Sequence, residues 1–151
     1  MIHRKTDVHV SIQEAPIDAA NAFAFLQEQR AGALDIFVGT TRQFTGDKET
    51  QKLYYECYEP MALSEINRVV EEAMNQWELF KVVVIHRIGE VPLGEASVVI
   101  GVATAHRDAA FASCRFLIDT LKKQVPIWKR EFYRNGEEEW VEGQLPDGIE
   151  M

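Results

Sequence analysis

Strand-like and helix-like stretches succeed one another along this chain in the order β-α-β-β-α-β-β-α-β-β, and that succession restricts the fold more than any other feature. It points to an α+β domain with a mixed or antiparallel sheet and about three helices. Residues 6–12, TDVHVSI, alternate Val8, Val10 and Ile12 with polar residues, the period of a half-buried strand. Pro16, then Asp18 as N-cap and Gly32 as stop, predict a helix of about 13 residues. ALDIFVGTTR reads as a mostly buried strand, and the polar QFTGDKETQK, with its Thr-Gly-Asp turn signal, as a mobile loop. LYYECYE is strand-like. Pro60 opens a helix over about 61–77 whose inward face is Met61, Ile66, Val69, Val70 and Ala73. FKVVVIHRIG and ASVVIGVATAH are two further strands, with IGEVPLGE read as a turn. Asp108 starts a third helix that runs to about 124 and is ended by Pro126. IWKREFYRNGEEEWVEG reads as two short strands around Asn135-Gly136, the strongest hairpin signal present.

The chain has 151 residues, enough for one domain with a core of its own, and neither a linker nor a low-complexity segment interrupts it. The tail QLPDGIEM, residues 144–151, is either loose or docks on a partner. With 24 acids against 16 Lys and Arg, the net charge of -8 argues against a sequence-independent grip on nucleic acid or on anionic lipid. Cys57 and Cys114 form no CxxC pair, so no metal site or redox pair is expected, and no cofactor motif of the Walker, Rossmann or HExxH kind is present. The start of the chain lacks an apolar core of signal-peptide length, and no apolar run approaches the roughly 20 residues of a membrane span. A cytoplasmic protein without a membrane partner is the expectation.

On an acidic protein, clustered basic residues stand out. A helical wheel over the third helix puts Phe111, Cys114, Leu117, Ile118 and Leu121 on a buried stripe. Lys122 falls at about 20° from Phe111, on the edge of that stripe, and Lys123 at about 120°, toward solvent. A lysine at such an edge either lays its stem on the core with its ammonium in water, or holds its amine in a pocket. In a pocket, desolvation and nearby cations favour the neutral form that a nucleophile or proton carrier needs. Lys129 lies seven residues on, beyond Pro126. Folding back would bring it toward Lys122, and the alternative is an edge-protecting charge. His106 and Arg107 stand at the mouth of the third helix, where free N–H groups and the helix dipole favour an anion, unless Arg107 pairs with Asp108. A second pair, His86 and Arg87, precedes a turn and reads as structural. Arg42 follows a strand that ends in Gly39, a common place for a ligand-facing side chain. Together Lys122, Lys129, His106, Arg107 and Arg42 make a candidate cationic pocket for an anionic small substrate.

GALDIFVGTTR, LYYECYEPMA, IHRIGEVPLGE, AHRDAAFASCRFLIDTLKKQVPIWKRE and WVEG stand in the order and at the spacing of one family. From about residue 6 to 143 the chain resembles the large, catalytic subunit of molybdopterin synthase, the MoaE family. The resemblance implies an α/β-hammerhead type fold and a homodimer whose subunits each bind a small ubiquitin-like sulfur-carrier subunit ending in Gly-Gly, a heterotetramer overall. It also implies a reaction: two sulfurs pass from the carrier's C-terminal thiocarboxylate into cyclic pyranopterin monophosphate, forming the dithiolene of molybdopterin.

By position, Lys122 matches the family lysine that meets the carrier's C-terminus, and Lys129 the second active-site lysine. Arg42 matches the pocket arginine, and His106 and Arg107 match a substrate-phosphate pair contributed across the dimer interface. Phe37 and Phe111 lie beside these motifs as candidate wall residues. Gln144 departs from members that carry an arginine there. The rival reading, toward which Gln144 leans, is a non-catalytic dimeric scaffold that binds a ubiquitin-like tail; an RNA-binding domain is disfavoured by the charge.

Overall fold

The two richest β-branched runs, in β5 (Lys81–Arg87) and β7 (Ala96–Thr104), pair antiparallel at the centre of a four-stranded sheet. The structure, a computed structural model, describes residues 5–141. β1 (Asp7–Gln13) flanks β5 in parallel, and β2 (Ala33–Thr40) flanks β7 antiparallel, giving the order β1-β5-β7-β2. Both central strands are covered on both faces, which is why their apolar residues run on instead of alternating with polar ones. Val82, Val84, Ile100 and Val102 face α2 (Glu59–Gln76) and α3 (Arg107–Gln124), meeting Ile66, Val69, Leu117 and Leu121. Val83, Ile85, Val99 and Ala103 face α1 (Ala19–Leu26), meeting Ala22, Leu26 and Phe80. Each fully buried valine or leucine stabilises the fold by about 1.5–3 kcal/mol, so the two-sided sheet is the main source of stability.

A second sheet carries β3 (Phe44–Thr45), β4 (Lys48–Cys57), β8 (Ile127–Tyr133) and β9 (Glu138–Val141) in the order β3-β4-β8-β9, with β6 (Gly89–Pro92) also paired to β4. The Asn135-Gly136 hairpin forms as expected. Gly136 donates its N–H to the Tyr133 carbonyl at 3.1 Å and takes a φ of 91°, the left-handed conformation that a three-residue hairpin loop asks of its last residue. The α+β class, the three helices and the mixed pairing are thus those expected from the sequence.

Several details differ. Asp18 does cap α1, accepting from Ala20 N–H at 2.9 Å, but the helix has 8 residues and does not reach Gly32. It stops where Gln27 turns extended, and Glu28 then bonds both the backbone and the guanidinium of Arg30, a local turn that competes with another helical turn. QFTGDKETQK is no open loop: it holds β3, a Gly46 turn and the start of β4. The stretch read as a turn after Arg87 contains β6. β2 is half exposed, because it is the edge of its sheet; Phe37 and Val38 are open to solvent. Met61 and Phe111, expected on inward faces, are exposed, and Ala62 and Ala110 are buried beside them instead. Glu142, Gly143, Gln144 and the tail lie outside the described residues.

Candidate active site

The ends of both sheets and the last turn of α3 enclose a cavity of about 400 Å3. α3 supplies Lys122, β8 supplies Lys129 and Glu131, and Arg42 enters from the segment after β2; Tyr55 and Ser97 form part of the wall. Strand alternation decides which basic residues reach it. Lys129 and Glu131 point to one face of β8, while Arg130 points to the other, stacked near Tyr54, Phe132 and Trp140 and paired with Glu56 and Glu138. Among Lys122, Lys123, Lys129 and Arg130, the cavity takes only Lys122 and Lys129. The split between Lys122 and Lys123 seen on the helical wheel therefore holds.

The site gathers positive charge around amines that are partly removed from water. Lys122 is exposed as a residue, yet the protein around its amine, together with the Arg42 guanidinium, holds its pKa below the usual lysine range. Lys129 is lowered as well, first by burial, then by the charges of Lys122 and Arg42, with Glu131 acting in the opposite sense. Both amines are thereby moved toward the neutral form. Glu131 is buried and accepts hydrogen bonds from Thr45 Oγ1 at 2.7 Å and Thr50 Oγ1 at 2.5 Å, which fix a carboxylate close to Lys129. Gly39 lets β2 come close to β7. A Cβ there would stand 2.8 Å from Val98 Cγ1, so any side chain at this position would push the cavity wall apart.

His86 sits behind this wall, with its ring edge-on to Tyr55 at 5.0 Å. Its Nδ1 lies 2.8 Å from the Arg87 carbonyl, which only accepts, so Nδ1 carries a proton. Burial drives its pKa from 6.5 down to about 4. The unfolded state therefore holds more protons between those two values, and stability present at neutral pH is lost as pH falls through that window. The full loss amounts to about 3 kcal/mol. Urea denaturation at about pH 7.5 and about pH 5 checks this: the drop in stability should be smaller in a His86→Gln variant.

Of the sequence-predicted residues, Arg42, Lys122, Lys129 and Phe37 converge on the cavity. His106 and Arg107 do not join them within one chain. They lie at the opposite end of α3, where His106 is the N-cap residue, about 24 Å from Lys122 along the helix axis at about 1.5 Å per residue. Phe111 lines a neighbouring depression with Ile36, Phe37, Cys114 and Ile118. Glu131, Tyr55 and Ser97 were not singled out in the sequence. Alternation in WKRE, which puts Lys129 and Glu131 on one strand face, was the available signal for Glu131. Among the described residues no three His, Cys, Asp or Glu side chains converge to hold a metal ion, and no helix is long and apolar enough to cross a membrane.

Residues 12–124 match the profile of the family described as MoaE protein. The chain belongs to the MoaE family. Among its relatives is a Bacillus subtilis protein named molybdopterin synthase catalytic subunit, 40% identical over 134 residues, which cover 89% of this chain and 85% of that one. A Drosophila melanogaster protein of the same name is 42% identical over 138 residues, 90% of this chain but 38% of the fly protein, so the MoaE chain spans well under half of that relative. A crystal structure of molybdopterin synthase from Staphylococcus aureus superposes with a TM-score of 0.79 at 29% identity, covering 92% of this chain and 98% of the other. The MoaE match takes in Arg42, His106, Arg107 and Lys122 and stops short of Lys129.

Proposed function

We propose that this chain is the catalytic subunit of a molybdopterin synthase, and that the cavity holding Lys122, Lys129 and Arg42 is where sulfur moves from a carrier protein to a pterin. The observation that carries the reading is the convergence of two amines of lowered proton affinity beside a guanidinium in one cavity. The carrier is a small ubiquitin-like protein whose C-terminal Gly-Gly thiocarboxylate enters the cavity. The acceptor is cyclic pyranopterin monophosphate, and the product is the molybdopterin dithiolene. The volume of about 400 Å3 suits a small ligand met by a thin chain end.

In this reading Lys122 positions or transiently bonds the carrier's terminal carbonyl, and Lys129 assists proton transfer as the sulfur attacks. Arg42 holds the anionic substrate. His106 and Arg107, too far along α3 to reach their own cavity, complete the substrate site from the second copy in a homodimer, which with two carriers makes a heterotetramer. The compartment is the cytoplasm. A carrier lacking its two terminal glycines should lose binding to this protein and should fail to compete with the intact carrier. Equal affinity of the truncated and intact carriers would overturn the tail-in-cavity reading.

The lowered lysines set a pH signature. The rate rises with pH as the amines lose their protons and levels off below the ordinary lysine range, because both pKa values are depressed. Arg42 contributes to both depressions, so an Arg42→Ala variant raises both pKa values and moves the rising limb of the kcat profile to higher pH. Saturating-substrate rates across the pH range measure the shift.

A further inference from the structure

The second His-Arg pair of the sequence is not used by the site as described, yet Arg87 is among the few buried charged residues of the fold. Its Nη1 donates to Glu95 Oε1 at 2.6 Å, and its Nε donates to the Glu14 carbonyl at 3.2 Å. The Arg87 side chain is 9% exposed, against 45% for Glu95. Glu95 closes the turn between β6 and β7, its N–H donating to the Pro92 carbonyl at 3.2 Å. That turn grips Thr41 through the backbone from both sides. Thr41 N–H donates to the Glu95 carbonyl at 3.2 Å, and Gly94 N–H donates to the Thr41 carbonyl at 2.9 Å. Thr41 is itself buried, with Oγ1 donating to the Val91 carbonyl at 3.4 Å. The residue that follows it is Arg42, which leaves this clamp to line the cavity.

We propose that Arg87 and Glu95 are positioning residues for Arg42: the ion pair of the buried Arg87 with the half-exposed Glu95 fixes the β6–β7 turn, which fixes Thr41, which sets where the Arg42 guanidinium enters the substrate cavity. This rests on the reading that Arg42 binds the anionic substrate. Arg87 and Glu95 are absent from the cavity lining, so they act only through the backbone that carries Arg42. An ion pair with a buried arginine adds little net stability over well-packed apolar groups, while it can impose one geometry on the segments it joins. Here the segments joined are the ends of β1 and β5, the β6–β7 turn and the strand exit that bears Arg42.

The test uses the assembled synthase with thiocarboxylated carrier and measures rate against pterin concentration. Arg87→Met with Glu95→Ala removes the pair without leaving a buried charge unpaired, and Arg87→Met alone, which leaves only the half-exposed Glu95 carboxylate, serves if the double variant fails to fold. An arginine that binds substrate equally in ground and transition states acts on KM, so at a pH on the kcat plateau, where the lysine shift does not enter, KM should rise about five- to tenfold with kcat held within about twofold. Glu95→Gln, which keeps an acceptor for Arg87, should restore KM to within about twofold of the parent. Adding Arg42→Ala to the clamp variant should raise KM by no more than about twofold over Arg42→Ala alone, since the clamp acts through that side chain. The proposal is overturned if Arg42→Ala raises KM while the clamp variants do not, if the two effects multiply, or if kcat falls with KM unchanged. An Arg42→Ala variant with unaltered KM would instead remove the substrate-binding role assigned to Arg42, and the positioning role with it.

Discussion

Replacing Lys122 by alanine is expected to abolish molybdopterin formation while leaving the protein folded. The loss should be roughly 10³-fold or more, since in the proposed mechanism the variant removes the amine that engages the carrier's carbonyl. The fold should tolerate the change because α3 is anchored by Leu117, Leu121 and their buried neighbours, whereas Lys122 is exposed on the cavity side of the helix. Product formation with thiocarboxylated carrier, read beside circular dichroism and size-exclusion profiles, separates a chemical effect from a structural one. An unaltered rate would sink the assignment of Lys122.

Lys129→Ala should cost about 10²–10⁴-fold in rate, the usual range for losing a positioned proton-transfer group. Carrier affinity should stay within a few-fold. The side chain stands mid-strand, opposite Tyr55 on β4 and Val141 on β9, where alanine preserves both ladders. Lys129→Arg is the sharper variant. It keeps the positive charge, but a guanidinium does not give up its proton in a protein, so arginine should fail to rescue the rate. Single-turnover kinetics with pre-bound carrier measure the chemical step directly; rescue by arginine would show that Lys129 acts by charge alone.

What could be read from the sequence was set by local patterns. The cap at Asp18, the glycine of the β8–β9 hairpin and the separation of Lys122 from Lys123 depend on neighbours within one or two turns, and each is found where the pattern put it. The misplaced residues depend on what lies across the fold. β2 has the apolar content of an inner strand, but its exposure follows from being last in the order β1-β5-β7-β2, which no single stretch encodes. Phe111 lies on the apolar side of the α3 wheel and is 62% exposed because that stripe extends past the edge of the sheet it covers. The early end of α1 comes from a Glu28–Arg30 bond that outcompeted the apolar period. Glu131 was hidden for another reason: an acid beside basic residues reads as a surface charge until its two threonine partners, both from the segment expected to be a mobile loop, are in place.

The central claim is that carrier, pterin and the two lysines meet in one cavity and that sulfur changes hands there. Mixing the purified protein with thiocarboxylated carrier and cyclic pyranopterin monophosphate, and following carrier and pterin by mass spectrometry, tests it most directly. The expected result is a pterin product bearing two sulfurs, with two carriers converted from thiocarboxylate to carboxylate for each product formed. A carrier that binds tightly through its tail, yet keeps its thiocarboxylate while the pterin remains unchanged, would contradict it and leave a scaffold in place of an enzyme.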